Sequence, residues 1–325
     1  MRVVVAVHDP PVWTLPEEQV TRIKVSLPDD EVVGAREVDE RRREFPAADV
    51  IVTTRFSAQD FGACQRLRWI HSTAVGVGAV LPPEVVRSHV IVSNSRGVHS
   101  EAIAEHAIAL ALALRRRLHL AVARQAERQW AQVELQAHRV STLTNTRLLV
   151  VGLGSIGARI AALGHGLGMH VTGVRRRLDQ PAPHGVAEIL PPEQLRDALG
   201  QADVVVLALP RTTETRALIG DAEFEAMRPT AILINIARGR LIDDAALVRA
   251  LESGRISGAG LDAFQEEPLP PAHPFWRLTN VLITPHTAAF AGEYWPPVVD
   301  LFLENMRRYK EGLPLINVVD KKAGY

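Results

Sequence analysis

A glycine-rich turn between an apolar strand and a helix constrains the fold of this chain more than any other feature. The apolar run Leu148–Val151 leads directly into Gly152-Leu153-Gly154-Ser155-Ile156-Gly157, and a helical stretch from Ala158 to Leu167 follows. In this context the first glycine permits a tight turn, the second lets a phosphate approach the backbone, and the third lets helix and strand pack closely. Free N–H groups at the start of the helix can hold a pyrophosphate. We therefore expect Gly152, Gly154 and Gly157 to form a dinucleotide-binding loop.

The rest of the chain alternates short apolar runs with helical patterns, which is typical of parallel α/β folds. A first series of strands is predicted at Arg2–Val7, Val50–Thr53, Arg68–His71 and Val90–Val92. A second, doubly wound series is predicted at Arg147–Val151, His170–Val174, Val204–Leu209, Ala231–Asn235, Gly258–Leu261 and Val281–Thr284. A long apolar helix, buried between other elements, is predicted from about Ser100 to Ala123, and a last helix from about Gly292 to Tyr309.

Charge and cysteine content exclude several classes of protein. The 37 basic and 37 acidic residues cancel, which argues against a protein that coats nucleic acid or an acidic membrane. The single cysteine, Cys64, excludes an intramolecular disulfide and a cysteine-rich zinc module, and we expect no metal site. The run Val3–Val7 is too short for a signal-peptide core, and Ala102–Leu114 is too short and too polar to span a membrane. We expect a cytoplasmic protein.

Three arginines follow the second strand of the doubly wound series, where NAD enzymes usually carry an acidic residue. Arg175, Arg176 and Arg177 occupy this position, and Arg175 lies 23 residues after Gly152. A guanidinium group pairs with a ribose 2′-phosphate, whereas a carboxylate repels it. Arg175 and Arg176 therefore favour NADP(H), with NAD(H) as a possible cofactor. The alternative is a solvated arginine loop, with cofactor choice set elsewhere.

Polar segments follow the last three predicted strands. They are Asn235–Asp243, Leu261–Pro270 and Thr284–Ala288, and each places polar groups beyond a strand's carboxyl end, where parallel sheets bind ligands. Within the first segment, Asp243 is expected to be the N-cap of a helix from Ala245 to Leu251 rather than a catalytic group.

These segments, together with Val92-Ser93-Asn94, Ala104-Glu105-His106 and the Leu209-Pro210 pair, resemble the D-isomer-specific 2-hydroxyacid dehydrogenase family. The resemblance covers most of the chain. It implies a doubly wound Rossmann cofactor domain, residues 99–287, inserted into a smaller flavodoxin-like α/β substrate domain, residues 1–98 plus 288–325. It also implies an active site in the cleft and a transfer of hydride between NAD(P)H and a small 2-oxo acid.

The resemblance places the family's catalytic arginine, carboxylate and histidine at Arg238, Glu267 and His286. An imidazolium can protonate the carbonyl oxygen, and a carboxylate on its other nitrogen would orient the ring. Arg238 could hold the substrate carboxylate with its fork of donors. Glu266 is an adjacent alternative to Glu267, but the residue directly before the proline is the one that matches the family.

Further contacts are implied only by the resemblance. The implied cofactor contacts are Ser155 and Ile156 at the pyrophosphate, Leu209 and Pro210 at the adenosine, and also Thr212, Ile236, Ala237 and Asp262. Asp262 would accept a hydrogen bond from the nicotinamide carboxamide. The backbone of Val75 and Gly76 would receive the substrate carboxylate, although Gly78 replaces the aspartate of many relatives. Arg55 and Trp295 are further candidates for the substrate pocket.

The basic strand end is most similar to the NADPH-using glyoxylate and hydroxypyruvate reductases of the family. The resemblance also implies a homodimer formed through the long helix, with Trp130 in a packed arm, whereas a monomer would cover that helix with its own chain. A different class stays open, because some proteins of this fold are nucleotide-sensing binding modules or corepressors with little turnover. No nucleic acid or membrane partner is expected.

Overall fold

The chain forms two α/β units, each built around its own parallel sheet. The computed structural model describes residues 1–9, 12–137 and 140–325. The first unit contains Met1–His99 and Ala291–Tyr325, and the second contains Ser100–Phe290.

The sheet of the first unit has five parallel strands. In chain order, the strands of this unit are β1 (Arg2–Ala6), β2 (His8–Asp9), β3 (Trp13–Thr14), β4 (Glu31–Gly34), β5 (Val50–Thr53), β6 (Trp69–Ser72) and β7 (Ile91–Asn94). The sheet order is β4-β1-β5-β6-β7, while β2 and β3 form a separate antiparallel pair. Without that pair the order is the flavodoxin-like one, as predicted.

Both faces of this sheet are covered, and the neighbouring strands β1 and β5 are buried along almost their whole length. Val3, Val5 and Val7 point into one hydrophobic cluster, and Val4 and Ala6 point into the other. The helices that precede the second unit are α1 (Glu17–Ser26), α2 (Val38–Glu44), α3 (Ala58–Ala63) and α4 (Pro83–Arg87).

The second unit has a seven-stranded parallel sheet. Its strands are β8 (Arg147–Val151), β9 (His170–Val174), β10 (Val186–Leu190), β11 (Val204–Leu207), β12 (Ile232–Asn235), β13 (Gly258–Leu261) and β14 (Val281–Ile283). The order β10-β9-β8-β11-β12-β13-β14 is that of a doubly wound Rossmann sheet with one additional strand. The order reverses between β8 and β11, which is the switch point where such sheets bind ligands.

Helices cover both faces of this second sheet. They are α5 (Ser100–Arg115), α6 (Leu118–Ala126), α7 (Gln132–Ala137), α8 (Ser155–Gly166), α9 (Leu195–Gln201), α10 (Asp221–Ala226) and α11 (Asp244–Glu252). The buried face of α5 packs against α8, β12 and β13. Asp243 is the N-cap of α11, since its side chain accepts from the Ala246 N–H at 3.0 Å, and this confirms its predicted role.

The structure differs from the sequence-based expectation at several elements. The predicted single helix from Ser100 to Ala123 is two helices, because Arg117 adopts a left-handed conformation (φ 56°) between α5 and α6. The edge strands β4 and β10 were not predicted. The last helix, α12 (Trp295–Lys310), packs against α1 in the first unit. Within the described ranges, no helix has the length and apolar character needed to cross a bilayer.

Candidate active site

The polar segments of the second unit gather at the carboxyl edge of its sheet. The glycine loop follows β8 and Leu209-Pro210 follows β11, on the two sides of the switch point. Arg238, Glu267 and His286 follow β12, β13 and β14, which are neighbouring strands. The parallel topology therefore brings the predicted catalytic residues to one edge.

His286 and Glu267 form a close pair. The Nδ1 atom of His286 lies 2.7 Å from Oε2 of Glu267, and Oε1 of Glu267 accepts from the Phe264 N–H at 2.9 Å. Glu267, rather than Glu266, is thus the carboxylate on the imidazole. Because both oxygens of Glu267 are occupied, the carboxylate cannot rotate freely, and the ring of His286 is held with Nε2 on the opposite side.

The environment of Glu267 keeps its carboxyl group ionised. Burial acts to raise its pKa, but the hydrogen bonds from His286 and the Phe264 N–H and the charge of Arg238 outweigh burial. The pKa of Glu267 therefore lies below its ordinary value. The carboxylate remains a pure acceptor across the neutral range.

Arg238 is held by its own loop. The buried amide of Asn235 accepts from the Ala237 N–H at 3.1 Å and donates to the Arg238 carbonyl at 3.0 Å. The guanidinium of Arg238 donates to the Ala237 carbonyl at 2.6 Å. Burial lowers the pKa of Arg238 from its usual value while the charge of Glu267 opposes the effect, and an arginine stays cationic in either case. The site therefore holds a fixed positive charge near Glu267.

Gly239 brings the loop after β12 into direct contact with the loop after β13. A Cβ atom at this position would overlap the carbonyl group of Phe264 and the backbone nitrogen of Gln265. Only glycine allows the two backbones to approach this closely. The spacing between the segment that carries Arg238 and the segment that carries Glu267 is thus set by main-chain contact.

Asp262 anchors the loop that carries His286. Its Oδ1 accepts from the Thr284 hydroxyl at 2.6 Å and from the Thr287 N–H at 2.9 Å, and its Oδ2 accepts from the Ala288 N–H at 3.0 Å. His286 lies between these anchors with φ 55°, a conformation that few non-glycine residues adopt. Its neighbours on both sides are therefore tied to one buried carboxylate.

The glycine loop fits a dinucleotide phosphate. Gly152 has φ 100°, and a Cβ atom there would lie 2.7 Å from the Ala208 carbonyl, while a Cβ atom on Gly157 would overlap the Gly152 carbonyl. A Cβ atom on Gly154, in contrast, would meet nothing within 4 Å. Among the described residues no side chain caps the N-terminus of α8, so the first N–H groups of this helix, beginning at Ser155 and Ile156, have no capping partner.

Two of the three arginines after β9, Arg175 and Arg176, have different surroundings. The guanidinium of Arg175 donates to the backbone carbonyls of Gln180 and Pro181, so this side chain supports the connection between β9 and β10. The exposed Arg176 lies 3.9 Å from the carboxylate of Glu214. Glu214 also accepts from the Thr212 hydroxyl at 2.7 Å, and this bond, with the charge of Arg176 as a smaller cause, lowers its pKa.

The remaining predicted contacts of the second unit lie on the same loops. Ile236 is buried in the core at the end of β12, and the N–H of Ala237 is used by Asn235. Leu209 is half-buried beside Gly152, and the Pro210 carbonyl accepts from the Thr215 hydroxyl at 2.9 Å.

The predicted substrate contacts lie in the first unit. Val75 and Gly76 follow β6 in a half-buried loop, where the amide of Asn94 donates to the Val75 carbonyl at 2.7 Å. Arg55 is mostly exposed, and its Nε atom donates to Asp9 at 2.7 Å. Trp295 begins α12 and packs against the hydrophobic core of this unit.

Sequence reasoning assigned no role to three residues that shape the site. They are Asn235, which holds the Arg238 loop, Gly239, and Thr284, which binds Asp262. Asn235 and Thr284 each stand at the end of an apolar strand, and Gly239 interrupts two arginines. Polar residues at strand ends and a glycine inside a functional loop were the available signals.

Comparison with known proteins identifies the family. The profile described as D-isomer specific 2-hydroxyacid dehydrogenase, NAD binding domain, matches residues 108–288, which is more than half of the chain. The glyoxylate reductase of Korarchaeum cryptofilum is 33% identical over 320 residues, covering 95% of this chain and 94% of that protein.

Solved structures agree. A D-isomer specific 2-hydroxyacid dehydrogenase from Xanthobacter autotrophicus Py2, in complex with NADPH and MES, has a TM-score of 0.85 and 29% identity, covering 100% of this chain and 99% of that one. The NADPH-dependent glyoxylate/hydroxypyruvate reductase of Sinorhizobium meliloti, in complex with NADP and sulfate, has a TM-score of 0.85 and 25% identity, with coverage of 100% and 99%. The chain belongs to the D-isomer specific 2-hydroxyacid dehydrogenase family and is an oxidoreductase that reduces 2-oxo acids with NAD(P)H.

Proposed function

We propose that this enzyme reduces small 2-oxo acids of the glyoxylate and hydroxypyruvate class, with Arg238, Glu267 and His286 as its catalytic residues. The observation that carries the proposal is the 2.7 Å hydrogen bond between His286 and Glu267, formed beside the charge of Arg238. Two of the relatives described above, from K. cryptofilum and S. meliloti, are named for the reduction of these acids.

The mechanism follows from the direction of each polar group. Reduction adds a hydride to C2 and a proton to the carbonyl oxygen, which yields a 2-hydroxy acid. Because Nδ1 of His286 is bound to Glu267, Nε2 is the atom that delivers the proton. The cation of Arg238 holds the substrate carboxylate and stabilises the negative charge that develops on the carbonyl oxygen. The bound nicotinamide cofactor supplies the hydride.

The cofactor-binding roles predicted for the second unit are part of the same proposal. The open space at Gly154 and the uncapped start of α8 support phosphate binding by the loop from Gly152 to Gly157. Among the described residues, Oδ2 of Asp262 accepts one hydrogen bond, and a carboxylate oxygen can accept a second, which supports its role toward the carboxamide. Leu209, Pro210, Thr212, Ile236 and Ala237 complete the proposed set.

The division of labour between the units is also proposed. Residues 99–287 form the dinucleotide-binding domain, and residues 1–98 plus 288–325 form the substrate domain. In the first unit we assign the substrate carboxylate to the N–H groups of Val75 and Gly76, for which the structure gives no partner among the described residues. Arg55 is a further substrate contact in this proposal.

The function is tested with a panel of 2-oxo acids and both cofactors. Absorbance of the reduced nicotinamide is followed with glyoxylate, hydroxypyruvate and larger 2-oxo acids, each with NADH and NADPH. The proposal expects the highest kcat/KM for the two small acids. Higher kcat/KM for the larger acids would contradict the substrate class, and flat traces throughout would favour a nucleotide-sensing binding module.

We assign the preference for NADP(H) chiefly to Arg176, since Arg175 is committed to the backbone of Gln180 and Pro181. Arg176→Ala should raise KM for NADPH about 10- to 100-fold, because a hydrogen bond to a charged group contributes roughly 1.5–3 kcal/mol. KM for NADH should change little. Arg177→Ala, at the exposed neighbouring position, is the matched control. A wild-type enzyme that strongly prefers NADH would contradict this assignment.

A homodimer through the second unit is proposed from its exposed apolar surface. An apolar groove between α5 and α8 is lined by Ile108, Ala109, Leu112 and Leu163. Beyond α5, Val122, Trp130 and Val133 are largely exposed, with Trp130 at 91%. Apolar surfaces of this kind mark association sites.

The location of the enzyme in the cell is proposed to be the cytoplasm, consistent with a single cysteine.

Sedimentation equilibrium should give twice the chain mass of 35.6 kDa. Ala109→Arg, which places a charge in the groove, should shift the mass toward the monomer, because burying an unpaired charge is costly. A wild-type mass of one chain would refute the dimer.

A further inference from the structure

One polar side chain on the buried side of α5 has no place in the mechanism above. The fully buried residues of this helix are all apolar, including Ile103, Ala107 and Leu110. His106 lies beside them and is partly buried, and its Nε2 atom lies 2.9 Å from the Thr284 hydroxyl oxygen and 3.6 Å from Oδ1 of Asp262. This contact joins α5 to the loop that carries His286, and it gives His106 a direct connection to the site.

The proton positions in this contact follow by elimination. The Asp262 carboxylate accepts only, so the Thr284 hydroxyl gives its one proton to Oδ1 at 2.6 Å. The Thr284 oxygen can then only accept from His106. Nε2 of His106 therefore carries the proton and donates, and the chain runs in one direction from His106 through Thr284 to Asp262.

We propose that His106 is a positioning residue for the reaction. Its donated hydrogen bond fixes the Thr284 hydroxyl, which in turn fixes the Asp262 carboxylate. That carboxylate also binds the N–H groups of Thr287 and Ala288, so both sides of His286 are held. The chain thereby keeps His286 in its left-handed conformation with Nδ1 on Glu267. This inference rests on the proposed role of His286 as the proton donor.

Three substitutions at His106 separate positioning from packing. Glutamine can place an amide donor near the position of Nε2, asparagine places it near Nδ1, and leucine has no donor. His106→Gln should retain kcat within about threefold, whereas His106→Asn and His106→Leu should lower kcat at least about tenfold with little change in KM, because small misplacements of reacting groups are costly. Equal kcat values in the three variants would overturn the proposal, even if their melting temperatures differ.

Two further measurements test the role of His106 beyond comparing kcat in its three variants. Nitrogen-15 NMR of histidine-labelled protein without cofactor should show His106 protonated at Nε2, and a ring protonated only at Nδ1 would refute the assignment. In a double-mutant cycle, His106→Leu should add little to the loss caused by His286→Asn. A normal kcat in His286→Asn would defeat the proposed function, whereas a low kcat there with a normal His106→Leu would defeat only this inference.

Discussion

Replacing His286 by asparagine should lower kcat for 2-oxo acid reduction by about 10²- to 10⁴-fold, the usual contribution of a general acid. His286 is the imidazole on Glu267, and its Nε2 is the atom from which the carbonyl oxygen takes its proton. Asparagine is chosen because it tolerates the left-handed region, where His286 has φ 55°. Alanine at this position would add backbone strain to the loss of the proton donor.

The measurement is steady-state kinetics combined with cofactor binding by nicotinamide fluorescence. The variant should bind NADPH as the wild type does, because His286 is needed for the proton and not for the phosphates. Thr287→Ser is the control for disturbance of the loop, because the backbone N–H of residue 287 can still donate to Asp262 in this variant. Near-normal turnover in the asparagine variant would exclude His286 as the acid.

Replacing Arg238 by glutamine should lower kcat/KM by about 10²- to 10³-fold, the scale seen when one donor to a developing oxyanion is removed. Arg238 combines a carboxylate-binding fork with a charge that burial makes effective. Glutamine keeps most of the length but loses the charge. The loss of Arg238 also removes a positive charge that helps to keep the carboxyl group of Glu267 ionised.

The readout for Arg238 is the separate change in kcat, in KM and in the Kd of oxamate, a 2-oxo acid analogue that carries the carboxylate. All three should worsen in Arg238→Gln. Arg240→Gln, at the exposed position two residues on, should behave as wild type. If oxamate binds Arg238→Gln with unchanged affinity, Arg238 does not hold the carboxylate.

The sequence predicted the sheets well because their strands are buried on both faces. Runs such as Leu148–Val151 and Val204–Leu207 are apolar without interruption, which is characteristic of a parallel sheet. In a parallel sheet the loops at the carboxyl ends of the strands lie along one edge. The sequence therefore also predicted which residues gather at that edge of the second sheet.

Elements without such a signal were missed for physical reasons. The edge strands β4 and β10 have no buried residue, since each of their residues is either exposed or half-buried, and they do not alternate between the two. The break at Arg117 is a left-handed residue within an arginine run, which helix propensity does not indicate. The chain from His106 to Asp262 joins residues that are far apart in sequence, so no local pattern could show it.

The contact between Gly239 and the backbone of Phe264 has a consequence for how this enzyme can diversify. Both partners are main chain, so the spacing between the cation and the acid–base pair does not depend on which side chains surround them. Mutations elsewhere in the pocket can alter substrate size and polarity while the reacting groups keep their arrangement. Gly239 itself cannot be replaced in this way, because a methyl group at this position would collide with the backbone of Phe264.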